Sequence, residues 1–277
     1  MSTADRREVP VSTYVFDQAW QKELDRLGAL ESLYDRASRQ HLASLGVGDG
    51  WRCLEVGAGA GGIARWLADR VGETGQVLAT DLDTRFLDAH GRTNLDVLTH
   101  NIVADPLEEA SFDLVHARAV LVHLPERDKV LPKLVTVLRP GGWLLVEDID
   151  FGGATGPMMT KYLDGPPAAA QAFARVGRAI EAVHRAAGAD PSLGSHLAAD
   201  LRTAGLSNVD AEVHAPLARG GPQTFLRGTV EALAQRLVAT GPATTEDIEY
   251  ILRFCDAPES AYLPPLMVSA WGQRPGA

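Results

Sequence analysis

A glycine-rich turn after a short apolar run is the feature of this sequence that most clearly indicates chemistry. Residues 53–62 read CLEVGAGAGG, a pattern typical of a strand that runs into a nucleotide-binding loop. A second apolar run, residues 77–80, ends at Asp81, twenty positions past Gly61. In a βαβ unit of this spacing, glycines let the backbone approach an adenosyl ligand, and a carboxylate at the strand end receives the ribose hydroxyls. The spacing therefore predicts that the chain binds an adenosine-containing cofactor.

The residue before the loop separates two kinds of cofactor. Gly57, Gly59 and Gly62 also satisfy the G-x-G-x-x-G pattern of nicotinamide-dependent enzymes, which is a weak signal by itself. Glu55 argues against that alternative, because the strand entering a pyrophosphate loop usually carries an apolar residue there. A carboxylate beside the loop suits a ligand that lacks phosphates and has a cationic end, and S-adenosylmethionine is such a ligand. The sequence favours this methyl donor over a nicotinamide.

The loop and two later segments resemble the class I S-adenosylmethionine-dependent methyltransferases. Residues 55–61 match the E/D-x-G-x-G-x-G loop of that family. FDLV at residues 112–115 and LRPGGWLLV at residues 138–146 match its fourth strand, the following turn and its fifth strand. The matches occur in the right order and cover between a third and half of the chain. Similarity to actinobacterial-type enzymes of small-molecule secondary metabolism is carried by residues 50–57, 115–118 and 145–148.

The resemblance also implies which residues bind the cofactor. Asp81 matches the ribose-binding acid of the family, and the Ala-Asp-Pro segment at 104–106 resembles the loop whose aspartate meets the adenine amino group. The full implied set is Glu55, Gly57, Ala58, Gly59, Gly61, Asp81, Leu82, Asp105 and Pro106. The helix after the loop, at residues 63–70, is expected to point its N-terminal amides at the ligand, where they suit the carboxylate of the methionine moiety.

The expected fold class is α/β, with a Rossmann-like, seven-stranded, mostly parallel sheet and one late antiparallel strand. Apolar residues at helical or alternating intervals predict the individual elements. Helices are expected at residues 16–24, 33–45, 63–70, 125–138, 167–187, 197–204, 223–239 and 245–255, and the last two strands at 208–217 and 266–271. Another helix is expected after residues 83–84, and residues 139–142 predict a turn. The expected buried stripe of the 167–187 helix is Ala172, Val176, Ile180 and Val183.

These elements divide the chain into three parts. Residues 1–48 are expected to form an N-terminal helical lid segment, and residues 49–150 the Rossmann-like core that binds the cofactor. Residues 151–277 are expected to complete the sheet and to carry an inserted pair of helices at about 222–257. The inserted helices and the N-terminal helices together would form a lid over a small-molecule pocket.

Candidates for the chemistry lie at the carboxyl ends of the fourth and fifth strands, where open α/β sheets bind ligands. We interpret His116, Arg118 and His123 as catalytic candidates, with a structural role as the alternative for each. In-line methyl transfer needs mainly alignment and exclusion of water, so a base that accepts a proton is helpful but dispensable. Asp148 and Asp150 are interpreted as substrate-binding residues. A magnesium site there is the less favoured alternative, and no metal is predicted.

Aromatic side chains complete the predicted substrate pocket. Its candidate walls are Tyr14, Phe16, Trp20, Phe151 and Tyr162, for which packing in the core is the alternative. Two other histidines, His184 and His196, are expected at the surface or behind the pocket. An aromatic wall would suit an apolar acceptor.

Composition limits the partners and the compartment. The 277 residues carry a net charge of −10, which argues against nucleic acid as the main substrate. No apolar stretch reaches the length of a signal peptide core or a membrane span. Cys53 and Cys255 are too few and too far apart in sequence for a disulfide framework or a zinc site. We therefore expect a cytoplasmic protein that is neither exported nor embedded in a membrane, and we leave a homodimer open.

Together these patterns predict an S-adenosylmethionine-dependent methyltransferase that acts on a small, aromatic or apolar metabolite. The acceptor atom, O, N or C, follows from lid residues that carry no readable code. Two alternatives remain. One is a member of the same fold that acts as a binding module or a cyclase without methylating, and the weaker one is a nicotinamide-dependent reductase.

Overall fold

Helices and strands alternate along most of the chain. The computed structural model describes residues 20–87, 91–153, 155–221 and 223–276. Its helices are α1 (Trp20–Ser44), α2 (Gly62–Val71), α3 (Arg127–Val137), α4 (Thr155–Lys161), α5 (Pro167–Ala186), α6 (Leu197–Thr203), α7 (Phe225–Ala239) and α8 (Thr245–Asp256). Its strands are β1 (Arg52–Val56), β2 (Gln76–Asp81), β3 (Leu95–Thr99), β4 (Phe112–Arg118), β5 (Leu138–Asp150), β6 (Ser207–His214), β7 (Ala218–Arg219), β8 (Ala261–Tyr262) and β9 (Leu266–Gln273). Within these ranges, no helix has the length and apolar character needed to cross a membrane.

Seven of the strands form one sheet in the order β3-β2-β1-β4-β5-β9-β6. The first five strands of the chain pair in parallel, and β9 runs antiparallel to both of its neighbours, β5 and β6. The predicted α/β fold with a late antiparallel strand is confirmed. The strand order reverses between β1 and β4, and the carboxyl ends of strands at such a switch point are where open α/β sheets bind ligands.

Both faces of the central strands of this sheet are buried, whereas the edge strands β3 and β6 are largely exposed. Successive residues of a strand fall in two different apolar clusters, as Cys53 and Leu54 do on β1, because side chains alternate between the faces of a sheet. The cluster with Cys53 contains residues of α2 and Leu42 near the end of α1, whereas the cluster with Leu54 contains residues of α3 and α6. Glu55 therefore lies on the face that α1 and α2 cover.

A second helical layer stands over the carboxyl edge of the sheet. A separate apolar cluster joins α5, α7 and α8, and α1 also packs against α7. Of the buried stripe predicted for α5, Ala172, Val176 and Val183 are buried, while Ile180 is only partly buried because it faces a cavity. The layer contains α1 and the helices of the predicted insertion, α7 and α8, together with α5, which was not part of the predicted lid. The lid itself stays a prediction.

The N-terminal helix differs from the prediction. Two helices were expected on either side of Gly28, but α1 is one continuous helix of 25 residues. Gly28 is exposed, and a side chain there would meet nothing within 4 Å, so the glycine adds flexibility without forcing a bend. The buried positions Leu30, Tyr34 and Ala37 follow one face, and their packing outweighs a penalty of about 1 kcal/mol for an internal glycine.

Two other local predictions were wrong. Residues 139–142 lie inside β5 and do not form a separate turn, because Gly141 adopts φ 82° at an irregularity in the β4–β5 pairing and the strand then continues. The helix expected after residues 83–84 is only a 3-10 turn at Thr84–Phe86 in the described residues. The short α4 and the two-stranded sheet of β7 and β8 were not predicted.

Two glycines give a matched test of backbone conformation. Gly28 is helical and Gly46 has φ 89°, and an added Cβ at either position would meet nothing within 4 Å. We expect Gly28→Ala to raise the free energy of unfolding by about 0.5–1 kcal/mol, because alanine restricts the unfolded chain. Gly46→Ala is expected to lower it by about 1 kcal/mol, because an L-residue resists positive φ. Urea titration of both variants tests this, and changes of the same sign would contradict it.

Candidate active site

A cavity of about 530 Å³ opens at the carboxyl ends of β1, β2, β4 and β5. One end of its wall is formed by the glycine loop and the strand ends, including Glu55, Gly57, Ala58, Gly59, Asp81 and Leu82. The other end is formed by helices of the upper layer, including Phe173, Ile180, Phe225, Leu226, Thr229 and Ile251. The volume is within the range of about 300–1,000 Å³ that is usual for small-molecule sites. One cavity therefore joins a polar, loop-lined end to an apolar, helix-lined end.

The loop has the close packing that its glycines predict. Gly57 has φ 68°, and a Cβ on it would lie 2.3 Å from Val120 Cγ2. Gly57 N and Ala58 N donate to the carbonyl oxygen of Thr80 on β2, at 2.8 and 3.0 Å. Gly61 has φ 84° and precedes α2, but it lies outside the cavity wall. The backbone of the loop can therefore approach a ligand where side chains would intervene.

Asp81, at the end of β2, is hydrogen-bonded to the glycine loop. Its Oδ2 accepts the N–H of Gly59 at 2.8 Å, and its Oδ1 accepts the N–H of Asp83 at 3.1 Å. Burial raises the pKa of Asp81, although these backbone N–H donors counteract the effect. The carboxylate sits in the cavity wall at the end of β2, where ribose hydroxyls would meet it.

The predicted adenine loop is placed differently. Asp105 is exposed, and its Oδ2 accepts the N–H of Asn101 at 2.8 Å, so its carboxylate closes its own turn. Neither Asp105 nor Pro106 lines the cavity, whereas Asn101 and Ile102 do. Sequence reasoning missed these two residues. Only their position in the sequence could have indicated them. They come shortly after the end of β3, just as Asp81 stands at the end of β2.

Glu55 is buried at the loop end of the cavity and pairs with His116. The distance from Glu55 Oε2 to His116 Nδ1 is 2.6 Å, and the distance from His116 Nε2 to Glu147 Oε2 is 3.0 Å. Burial alone would lower the pKa of His116, but the charge of Glu55 and hydrogen bonds to both glutamates outweigh it and raise the pKa to about 9. His116 is fully buried and does not line the cavity, so an acceptor in the cavity cannot reach it.

Arg118, by contrast, lies in the cavity wall, where it ties β4 to α1. Its guanidinium donates to Asp35 Oδ1 at 2.7 Å and to Ser38 Oγ at 2.9 Å. One turn earlier in α1, Glu31 Oε1 accepts the N–H of Gly62 at 2.8 Å. That N–H begins α2, the helix whose N-terminal amides were expected to face a ligand carboxylate. A protein carboxylate occupies the first of them instead.

His123 lies in the wall of the helix-lined end, beside a second buried histidine. Its ring centroid is 5.7 Å from that of His184, which is itself 5.2 Å from the ring of Phe151. Burial is the largest cause that lowers the pKa of His123 to about 3, and Coulomb interactions with the neighbouring His184 and with Arg26 add to it. Burial also lowers the pKa of His184. His184 is therefore an interior, neutral residue of the cavity wall, and its expected place at the surface or behind the pocket was wrong.

The two aspartates at the end of β5, Asp148 and Asp150, do not line the cavity. Asp148 Oδ2 accepts the N–H groups of Leu121 and Val122 at 3.1 and 3.3 Å, so it supports the turn that carries His123. Asp150 is buried, and its Oδ1 has no hydrogen-bond partner among the described residues. Across all the residues that the structure describes, no group of three or more His, Cys, Asp or Glu side chains is arranged so that it could hold a metal ion.

The predicted aromatic walls are only partly represented. Phe151 lines the cavity, whereas Tyr162 is 53% exposed and lies outside its wall. Tyr14 and Phe16 lie outside the described residues, as does the side chain of Trp20. Phe173 and Phe225 of the upper helices also contribute aromatic surface to the wall, and the sequence analysis did not single them out. Their helical spacing does not distinguish a core position from a cavity position.

Comparison with known proteins identifies similar chains. A family model described as a methyltransferase domain matches residues 54–146, which include the glycine loop and Asp81. Methyltransferase str3 of Strobilurus tenacellus is 32% identical over 210 residues, which cover 74% of this chain and 69% of that protein. Methyltransferase str2 of the same organism is 34% identical over 164 residues, which cover 58% of this chain and 56% of that protein. The match thus spans little more than half of the length of str2.

A solved structure shares the architecture. The YcgJ protein of Bacillus subtilis superposes with a TM-score of 0.56, covering 88% of this chain and 100% of its own, at 16% identity. At that identity the likeness concerns the fold alone. The residues of the site can be compared with the cofactor of the family. The loop end of the cavity has two carboxylates, Glu55 and Asp81, and next to them the backbone of Gly57 and Gly59, which carries no side chains. These groups fit a ligand with ribose hydroxyls and a cationic end, as S-adenosylmethionine has.

Removing the carboxylate at the end of β2 tests the ribose assignment. We expect Asp81→Ala to weaken binding of S-adenosylhomocysteine and of 5′-methylthioadenosine alike, by about 10- to 100-fold, because both ligands carry the ribose. Calorimetric titration measures both affinities. Asp69→Ala is the control, since Asp69 is an exposed carboxylate paired with Arg92. Unchanged affinity in a folded Asp81→Ala protein would refute the assignment.

Acid is expected to destabilise the protein through His123. The folded-state pKa of about 3 lies below the ordinary value of 6.5, so below pH 6.5 the unfolded chain binds a proton that the folded chain does not. Stability from this group is present above the unfolded-state pKa and falls as the pH drops below it. Between about pH 7.5 and pH 5 the loss amounts to roughly 2 kcal/mol.

The variant His123→Gln should lack this part of the pH dependence, and urea titrations at several pH values measure the difference. His196→Gln is the control, because His196 is partly exposed and its carboxylate partners raise its pKa even though burial opposes this. Parallel stability curves for wild type and His123→Gln would show that His123 is not held neutral.

Proposed function

The chain belongs to the class I S-adenosylmethionine-dependent methyltransferases, and we propose that it transfers the methyl group of that cofactor to a small, mainly apolar acceptor. The observation that carries the proposal is the single cavity in which the glycine loop and Asp81 face a wall of apolar helices. Such a cavity brings two ligands together and keeps water away from both. The apolar wall of the other end suits a small molecule as the acceptor. The net charge of −10 also argues against a polyanion as the acceptor.

The loop end of the cavity is proposed to bind the cofactor. Asp81 would receive the ribose hydroxyls, while Asn101 and Ile102 would line the adenine side. Glu55 would face the positive end of the methionine moiety. When bound, S-adenosylmethionine supplies an electrophilic methyl group on a positively charged sulfur. A wall that carries Glu55 and Asp81 favours a cationic ligand over its neutral analogues through direct Coulomb attraction.

The helix-lined end is proposed to bind the acceptor. Apolar surface comes from the residue that follows β5, Phe151, and from three different helices through Phe173, Phe225, Leu226 and Ile251. Each buried apolar contact removes water from both surfaces, worth about 25 cal/mol for every Å² buried. Exclusion of water and alignment of the acceptor are the main contributions that these residues would make to the rate.

The charges at this end favour a neutral or anionic acceptor. Arg26 lies in the wall, and its guanidinium is 5.6 Å from the ring centroid of Phe225. Its buried counterion is Glu23, at 2.7 Å. Glu181 also lines the wall, and it is paired with a neighbouring arginine at 2.9 Å. A cationic acceptor would therefore meet the Arg26 guanidinium and two neutral imidazoles, His123 and His184, beside carboxylates that already have partners. Burying such a charge without a partner is costly.

Hydroxyl and imidazole groups would orient the acceptor. Thr229 Oγ1 is buried in the cavity wall and has no hydrogen-bond partner among the described residues. His123 would accept or donate a hydrogen bond as a neutral ring. Its low pKa makes it a weak base, so we propose that it orients the acceptor and that the reaction depends on alignment. A hydroxylated apolar molecule, such as a phenol or an enol, satisfies these groups.

The catalytic roles first predicted for the other two residues are revised in this proposal. His116 is too deeply buried to contact an acceptor, and Arg118 is held by Asp35 and Ser38. We assign Arg118 the task of fixing α1 against the carboxyl end of β4. A nicotinamide-dependent reductase is disfavoured, because the doubly wound sheet of those enzymes adds a parallel strand beside its fifth strand, whereas β9, the neighbour of β5 here, is antiparallel.

Methyl transfer can be tested directly. We expect protein incubated with isotope-labelled S-adenosylmethionine to label neutral phenols or enols in a panel, and to discriminate against cationic amines of similar size. Mass spectrometry of the product and of released S-adenosylhomocysteine measures the reaction. Binding of the cofactor with no labelled product from any member would favour the non-methylating alternative.

Thr229 offers a matched pair of variants for the same assay. Thr229→Val keeps the volume and removes the hydroxyl, and we expect it to lower kcat/KM for a responsive acceptor by about tenfold through one lost hydrogen bond. Thr229→Ser keeps the hydroxyl and should retain most of the activity. The affinity for S-adenosylhomocysteine should change in neither variant. An equal loss in both variants would assign Thr229 to packing.

A further inference from the structure

A row of polar side chains crosses five strands of the sheet on the face that α1 covers. Glu55 on β1 is the register partner of His116 on β4. Ser269 on β9 is the register partner of both Glu147 on β5 and Glu212 on β6. Positions paired in register project to the same face, so the sheet itself brings these side chains into line.

Short contacts connect the row from the cavity to the surface. His116 lies between Glu55 at 2.6 Å and Glu147 at 3.0 Å, and Ser269 Oγ donates to Glu147 Oε1 at 2.5 Å. His41 of α1 stands 3.4 Å from Glu147 and 3.3 Å from Glu212. The contact of His41 with Glu147 is an ion-pair distance without hydrogen-bond alignment, so its effect is electrostatic. Acidic and basic groups alternate along the whole row.

Nearly all of the row is buried, which constrains its charges. The side chains of His116 and Glu147 are 0% exposed and that of Glu55 is 4% exposed, whereas Glu212 at the far end is 66% exposed. An isolated carboxylate in such a place would take up a proton to avoid the cost of desolvation. Burial works against the charge of Glu147, but the hydrogen bond with His116 and the electrostatic attraction of the nearby His41 lower its pKa well below the ordinary value.

Glu55 is the member of the row that reaches the cofactor. It is in the cavity wall directly before the glycine loop, whereas His116 and Glu147 are not. Its Oε2 is taken by His116, and we find no hydrogen bond to Oε1 within the described ranges. A carboxylate anchored by one oxygen presents the other in a fixed direction.

We propose that His116, held between Glu55 and Glu147, is a positioning residue that aims the Glu55 carboxylate at the α-ammonium group of the cofactor. The inference rests on the proposed cofactor site and adds what orients its acidic group. His116 Nδ1 holds Glu55 Oε2 at 2.6 Å, and Glu147 in turn holds His116 Nε2 at 3.0 Å. Without His116, the Glu55 carboxylate would lose the contact that fixes its direction, and the ammonium group would lose its partner.

Two ligands separate this role from a general effect on the pocket. S-adenosylhomocysteine has the α-ammonium and carboxylate groups, whereas 5′-methylthioadenosine shares the adenosine and thioether and lacks both. We expect His116→Gln to weaken calorimetric binding of S-adenosylhomocysteine by about tenfold and to change binding of 5′-methylthioadenosine less than twofold. Equal weakening of both ligands, or unchanged or tighter binding of S-adenosylhomocysteine, would overturn the proposal.

A second variant keeps the test decisive if His116→Gln does not fold. Glu147→Gln preserves the shape and removes the charge that stabilises His116, so it should produce a smaller loss confined to S-adenosylhomocysteine. Loss of both ligands equally, or of neither, in folded Glu147→Gln would also overturn the proposal. Glu55→Gln removes the carboxylate itself, so its loss of affinity for S-adenosylhomocysteine gives the largest effect expected from this row of side chains.

The chain contains a matched control for the histidine. His196 also lies between two carboxylates, at 2.6 Å from Asp200 and 3.0 Å from Asp190, but its side chain is 43% exposed and outside the cavity. His196→Gln should change the affinity for neither ligand, and a selective loss there would contradict the assignment to His116. Wild-type protein that binds neither ligand would refute the cofactor site itself, which is a different failure from a null result in the variants.

Discussion

Burial of charge beside the glycine loop is the constraint on which the rest of the structure depends. A cofactor site for a cationic ligand needs carboxylates in a place that water hardly reaches, and an unpaired carboxylate there would be neutralised. The protein meets this requirement with partners from neighbouring strands. Glu55 has His116, and His116 has Glu147 behind it. The parallel register of β1, β4 and β5 supplies these partners without any separate supporting loop.

The same constraint is met in part by α1. It covers the sheet face that bears the charged row, and it contributes Asp35 to Arg118, Glu31 to the first amide of α2, and His41 to Glu147. Three turns of one helix thus provide partners for two charged groups of the sheet and for the first backbone amide of α2. A break at Gly28 would leave these contacts intact but would move the N-terminal part of α1, which lines the cavity, relative to them. One helix therefore both lines the cavity and balances charge on the sheet.

The two ends of the cavity differ in the charge of the groups that line them. At the loop end, an imidazole faces the carboxylate of Glu55, and backbone amides face that of Asp81. At the helix-lined end, His123 and His184 stay neutral because burial and Arg26 oppose their protonation. A cation is favoured at the first end and disfavoured at the second. This asymmetry would orient the two ligands of a methyl transfer even before any specific contact with the acceptor is considered.

The sequence by itself determined the α/β class, the strand that ends in the glycine loop and the acid at the end of β2. Each of these depends on residues close together in the chain, because periodicity, turns and positive φ are local properties. Only the tertiary structure decided the rest. Asn101 stands in the cavity wall where Asp105 was expected, and His184 is interior, because both depend on how distant segments pack. His116 pairs with residues 61 and 31 positions away, and no spacing along the chain encodes that contact.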